Sequence, residues 1–267
     1  MPKGLDSLLS LCGTIPPMAR ETQVEGVVLR RWYAGEYDKW VSLFTPDYGK
    51  LRLRVRGARK PKSKMGMLTE PMNRLKARVI EGRAQKLLVQ PQLARGYVNS
   101  RAELERLSIA LALCETLDRW LPEEHPEPEV YETLVDALES LECGALPEAV
   151  AAQALWRWLA LLGYAPELGR CARCGVVSGA EGGSFVIVEG QLLCRRCAPR
   201  AEGVPLDATA VARLQNYIQG EPLEPSARPE EAQTLLRAGL RYAEGALESP
   251  VRWLEFWERL SALRESG

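Results

Sequence analysis

The chain has 267 residues, 35 basic and 35 acidic side chains, one histidine, and 46% hydrophobic against 26% charged residues. This excludes a wholly disordered or collagen-like chain, and the lack of any run of about eighteen apolar residues excludes a helical membrane span. Zero net charge hides an asymmetry: residues 20–100 carry 18 basic and 7 acidic side chains, residues 101–168 carry 4 and 14, and the length suggests about two domains.

Residues 1–21 read as an N-terminal extension. Leu8 to Cys12 is apolar but short for a secretory core, Asp6 precedes it, and Met18 offers an alternative start. From Thr22 to about Arg95, short β runs alternate with turn signals. Val24, Gly26 to Leu29 and Trp32 make the first run, followed by the Gly35-Glu36-Tyr37-Asp38 turn. Trp40 to Phe44 make the second, closed by Thr45-Pro46-Asp47-Tyr48-Gly49. The third begins at Gly49-Lys50 and alternates Leu51, Leu53 and Val55 with Arg52, Arg54 and Arg56, so the three arginines share one strand face. It leads into an arm broken by Gly, Pro and Ser that carries Arg59, Lys60, Lys62 and Lys64. Seven cations from Arg52 to Lys64 with no acid among them repel one another unless an anion meets them. Leu75 to Ile80 and Gln85 to Gln90 supply the fourth and fifth strands. Five short strands with one long basic loop fit an OB-fold over residues 22–98, with an SH3-like barrel as the alternative.

The periodicity then turns helical. Ser100 is the expected N-cap, with Glu103 three residues on, for a helix through Leu104, Leu107, Leu111, Cys114 and Leu117 that Pro122 stops. A second helix runs from about Pro128 to Gly144. A third runs from Pro147 to Gly163 and is apolar on nearly every side, the pattern of a buried central helix. Asp207 is the expected cap of a helix through Tyr217, another spans about Glu230 to Ala246, and a last one Val251 to Leu263. The fold class is α+β multidomain, an N-terminal β-barrel followed by an all-α domain at residues 99–267. A four-cysteine zinc finger at 169–199 interrupts that domain.

Cys171-Ala172-Arg173-Cys174 and Cys194-Arg195-Arg196-Cys197 stand nineteen residues apart, a spacing suited to one tetrahedral zinc. Ser184 to Val188 and Gln191 to Leu193 read as a hairpin that brings the pairs together. Four thiolates leave no place for a reactive water, so the zinc is expected to be structural, contributing on the order of 10 kcal/mol to local folding. Arg170, Arg173, Arg195 and Arg196 either compensate the charge of the cluster or contact nucleic acid. An enzyme is poorly supported: His125 lies in a Pro-rich turn, no nucleotide loop or nucleophile elbow occurs, and no catalytic residue is assigned. The carboxylates from Glu123 to Glu129 read as solubility groups, or as repulsion keeping the acidic part off DNA. Binding of nucleic acid is better supported, because the basic stripe is accompanied by Trp32, Tyr33, Tyr37, Trp40 and Tyr48, and cationic grooves with aromatic faces hold single strands. Tyr37 is the expected exposed stacking residue; Trp40, flanked by Val41 and Leu43, is a candidate for the barrel core.

Val27-Val28-Leu29-Arg30, Gly35-Glu36-Tyr37-Asp38, Leu43-Phe44-Thr45-Pro46, Gly49-Lys50-Leu51 and Arg56-Gly57-Ala58-Arg59-Lys60-Pro61-Lys62-Ser63, with Leu162-Gly163-Tyr164-Ala165-Pro166 ahead of the first cysteine pair, resemble the RecO family of bacterial recombination mediators. The resemblance runs from about Thr22 to Leu263. It implies a cytoplasmic, nucleoid-associated protein with no membrane role. Such a protein binds single- and double-stranded DNA, anneals complementary strands, contacts the single-stranded DNA-binding protein (SSB), and with RecR helps load the RecA recombinase. Lys50, Arg52, Arg56, Arg59, Lys60 and Lys62 fall in the family's basic stretch. The competing readings are a zinc-ribbon transcription or RNA-binding protein, in which the cysteine module binds the nucleic acid, and a non-catalytic scaffold.

Overall fold

The computed structural model describes residues 21–82, 84–178, 184–198, 203–223 and 228–247. Apart from Glu21, the expected N-terminal extension lies outside these residues, as does the expected last helix at 251–263. Alternating apolar positions build five strands: β1 (Glu21–Ala34), β2 (Asp38–Thr45), β3 (Gly49–Val55), β4 (Arg74–Glu81) and β5 (Lys86–Arg95). They close in the order β1-β2-β3-β5-β4, with β1 also paired to β4. This is the OB-fold arrangement; the parallel pairing of Leu53 and Arg54 with Lys86 and Leu87 closes the barrel. β3 therefore skips β4, and the arm after it and the short α1 (Met65–Leu68) carry the chain across.

Two cores result. Val24, Val28, Val41, Leu43, Leu51, Leu53, Val55, Leu75, Val79 and Leu88 fill the barrel. Val27, Leu29 and Phe44 on β1 and β2, and Met72 just ahead of β4, belong instead to the large helical core. Phe44 meets Tyr131 edge to face at 5.5 Å. Part of the barrel's outer surface is thus covered by helices and part is left open.

The helical part comprises α2 (Val98–Ala102), α3 (Leu104–Trp120), α4 (Pro128–Glu142), α5 (Pro147–Leu161), α6 (Ala208–Gln219) and α7 (Pro229–Leu247). α5 is the buried centre, as its all-round apolar pattern predicts, with Trp156 and Trp158 fully enclosed. Trp156 Nε1 donates to the Leu235 carbonyl at 2.9 Å, tying α5 to α7. Asp207 caps α6 by accepting from the Ala210 amide at 2.7 Å. Ser100 is not the cap expected of it. It lies inside α2, where its amide and hydroxyl both donate to Glu142 Oε2, so a carboxylate from α4 takes the place of the local partner.

Candidate nucleic-acid interface and four-cysteine centre

The strand period sets the open barrel face. With Leu51, Leu53 and Val55 inside, Arg52 and Arg54 emerge on the outer side of β3. Cross-strand register puts Arg30, Ser42 and Arg52 in one row and Trp32, Trp40 and Arg54 in the next. Trp40 is therefore an outer-face residue and not part of the barrel core. Its ring stacks on Trp32, with centroids 6.4 Å apart and planes 16° from parallel. The Arg52 guanidinium lies 5.1 Å from the Trp32 centroid and 5.0 Å from that of Trp40, within cation–π range.

The arm adds further exposed cations beyond the end of β3. Arg56, Arg59, Lys60, Lys62 and Lys64 are all exposed. Arg59 lies 4.2 Å from the Tyr33 centroid and donates to the Gly35 carbonyl at 3.1 Å, joining the arm to the β1–β2 turn. Tyr33 is 61% exposed and Tyr37, in that turn, 47%. Among the described residues no carboxylate lies within ion-pair distance of Arg52, Arg56, Arg59, Lys60, Lys62 or Lys64.

Two predicted cations are already engaged. Arg54 pairs with Asp38 at 2.7 Å and donates to Gln85 Oε1 at 3.3 Å. Asp38 also accepts from the Gly57 amide at 2.8 Å; that bond, with Arg54, holds its carboxyl below the usual range. Lys50 donates to the Asp118 carbonyl at 2.5 Å, across the junction between barrel and helices. The acidic turn after α3 is exposed but anchored: the Glu124 amide donates to the Lys50 carbonyl, and Glu124 pairs with Lys86 at 2.7 Å. At Gly49 a Cβ would meet the His125 carbonyl, so the turn packs backbone to backbone. Arg30, which pairs with Asp118 at 3.5 Å, joins the face although the charge run alone did not single it out. Its spacing of two from Trp32 carries the signal.

The second centre is built by a hairpin. β6 (Ser184–Val188) pairs with β7 (Gln191–Cys194), and β8 (Leu206–Asp207) adds a third strand beside β6. Register places Cys194 opposite Phe185, at the end of the hairpin. The Sγ atoms of Cys171, Cys174, Cys194 and Cys197 all lie within 4.8 Å of one another. Four thiolates on one tetrahedral zinc stand about 3.8 Å apart, given Zn–S bonds of about 2.3 Å, so the donor set fits a single metal ion. Burial disfavours the Cys171 thiolate, but the amides of Cys194, Cys174 and Arg173 outweigh that and bring its pKa down to about 6. Cys197 is pushed up to about 12 by its hydrogen bond with Cys174, by burial and by the other thiols. A cation offsets that mutual opposition. Arg173 donates to the Cys197 carbonyl and so links the two turns.

A closed OB barrel with a cationic, aromatic open face, joined to helices that carry a four-cysteine centre, defines the class of protein. Models of the N-terminal and C-terminal parts of recombination protein O match residues 18–97 and 101–255. DNA repair protein RecO of Exiguobacterium sibiricum is 35% identical over 192 residues, covering 72% of this chain and 76% of its own. DNA repair protein RecO of Roseiflexus sp. strain RS-1 is 32% identical over 244 residues, covering 89% and 85%. That of Bifidobacterium adolescentis is 32% identical over 242 residues, covering 86% and 96%. The chain belongs to the recombination protein O family of DNA repair proteins.

Proposed function

We propose that the open barrel face and the Arg56–Lys64 arm bind DNA, single- and double-stranded, and that this binding anneals complementary strands. The observation that carries the reading is the outer-face group of Arg52 with stacked Trp32 and Trp40, together with exposed Tyr33 under Arg59 and the exposed cations of the arm. Strand meeting is opposed by phosphate repulsion; cations on one rigid face and one arm lower that repulsion on both strands without any covalent step. Within this reading residues 22–98 are the DNA-binding domain. Arg52, Arg56, Arg59, Lys60, Lys62 and Lys64 meet phosphates, and Tyr37 offers a ring to a base. Arg54 and Lys50 act with their structural partners already in place. Family membership supports partnership with RecR, SSB and, through them, RecA, in the cytoplasm at the nucleoid.

The four-cysteine centre holds one structural Zn²⁺ in this reading, fixing the hairpin against the helical core to which Cys171, Cys194, Phe185 and Leu206 belong. A salt titration tests the whole. If six cations meet phosphates, log affinity falls against log salt with a slope of about −4 to −5. Arg52→Ala with Arg56→Ala should slow annealing of complementary oligonucleotides; unchanged annealing at physiological salt refutes the proposal.

A further inference from the structure

We propose that the cleft between the barrel face and the loop after α3 takes one unpaired nucleotide and reads the amino edge of its base through Glu123. This rests on the DNA binding proposed above and adds a base preference to it. The cleft encloses about 420 Å³ and is lined by Arg30, Trp32, Ser42, Lys50, Arg52, Asp118 and Glu123. Pockets for small ligands begin at about 300 Å³, so a single nucleotide has room.

Its shape follows from the register. Ser42 sits between Arg30 and Arg52 in one cross-strand row, and this small residue, 3% exposed, makes a floor with a guanidinium on each side. Trp32 walls one end, and the helical part contributes the two carboxylates. The indole of Trp32 suits a base, and the guanidiniums of Arg30 and Arg52 suit its phosphate. Asp118 is committed to Arg30 and its carbonyl to Lys50. Glu123 is exposed and pairs with no cation among the described residues, yet its backbone is fixed by the bridge between Lys50 and Glu123. A carboxylate only accepts hydrogen bonds. It matches the amino groups of cytosine, adenine and guanine, whereas thymine flanks its single ring N–H with two carbonyls that repel it. A paired base has its edge occupied and cannot enter, so the cleft is specific for unpaired strand.

The test is fluorescence anisotropy with labelled oligo-dC and oligo-dT of equal length at one salt concentration. The wild-type chain should bind dC about tenfold more tightly than dT, the order expected of one hydrogen bond to a charged group. Glu123→Gln, whose amide both donates and accepts, should bring the ratio close to one. Lys60→Ala with Lys62→Ala should weaken both oligonucleotides equally and preserve the ratio. Equal binding of dC and dT by the wild type, or a ratio that survives Glu123→Gln in a protein with wild-type melting temperature, overturns the base preference while leaving DNA binding standing. Binding of neither oligonucleotide by the wild type overturns DNA binding and the preference together.

Discussion

The ammonium of Lys39, only 7% exposed, lies 2.8 Å from a carboxylate oxygen of Glu70. The other oxygen of that carboxylate accepts from Arg31 at 2.6 Å, and Arg31 in turn lies 5.8 Å from the Tyr33 ring centroid. Burial alone would raise the Glu70 pKa; the bonds from Lys39 and Arg31 outweigh it and hold it below the ordinary glutamate range. A carboxyl with a depressed folded pKa contributes stability that is complete above its unfolded value, about 4.3, and is lost as pH falls through the folded value. Acid denaturation followed by circular dichroism should show this as a limb below about pH 4.3 that Glu70→Gln flattens. At pH 7 the same substitution should cost about 1.5–3 kcal/mol, since Lys39 loses a charged partner.

Removing the indole of Trp32 takes away the ring against which Trp40 and Arg52 are arranged. Trp32→Ala should weaken single-strand binding by about 1–3 kcal/mol, the contribution of one stacked base. Duplex binding, which presents no free base faces, should change less. Anisotropy on matched single- and double-stranded oligonucleotides measures both.

Metal removal should act on the helical core before the barrel. Cys171, Cys194, Phe185, Leu192 and Leu206 share a core with α5 and α7, whereas the barrel interior holds none of them. Treatment with a strong chelator, or Cys171→Ser, should release zinc measurable by elemental analysis, expose the hairpin to protease, and lower the main melting transition. Salt-dependent DNA binding by the barrel should persist.

Gly239 faces α5 so closely that a Cβ there would stand 2.8 Å from Leu155 Cδ2 and 3.0 Å from Trp156 Nε1. Gly239→Ala should therefore destabilise by about 1–3 kcal/mol through overpacking, despite the higher helix propensity of alanine. Thermal melting checks the sign: a gain in stability would mean that α7 shifts freely away from α5.

Local patterns announced much of this architecture. The arginine alternation in β3, the hairpin between the cysteine pairs, the Asp207 cap and the enclosed α5 all follow from side-chain period and turn chemistry within a few residues. What stayed hidden depends on partners far along the chain. Val41 to Thr45 is buried throughout, because Phe44 is covered by Tyr131 from outside the barrel while Leu43 fills its interior. An apolar run closed on both faces conceals which side Trp40 occupies. Ser100 carried a capping signal, but Glu142, 42 residues on, outcompetes any local use of its hydroxyl. Glu123 and Glu124 after α3 are exposed, as the reading of a solvated patch has it, but the docking of their backbone on Lys50 stayed hidden because nothing nearby in sequence indicates it.

The parallel closure of β3 on β5 also bears on how the chain is made. As synthesis proceeds from the N-terminus, β1, β2 and β3 emerge as an open meander, and the edge of β3 waits for β5 until the arm, α1 and β4 have followed. An unpaired edge invites pairing with another nascent chain. Here that edge belongs to a strand bearing Lys50, Arg52 and Arg54, so two such edges repel each other. The charge on β3 thus disfavours edge-to-edge pairing of two unfinished barrels at that strand in the interval before its last partner arrives.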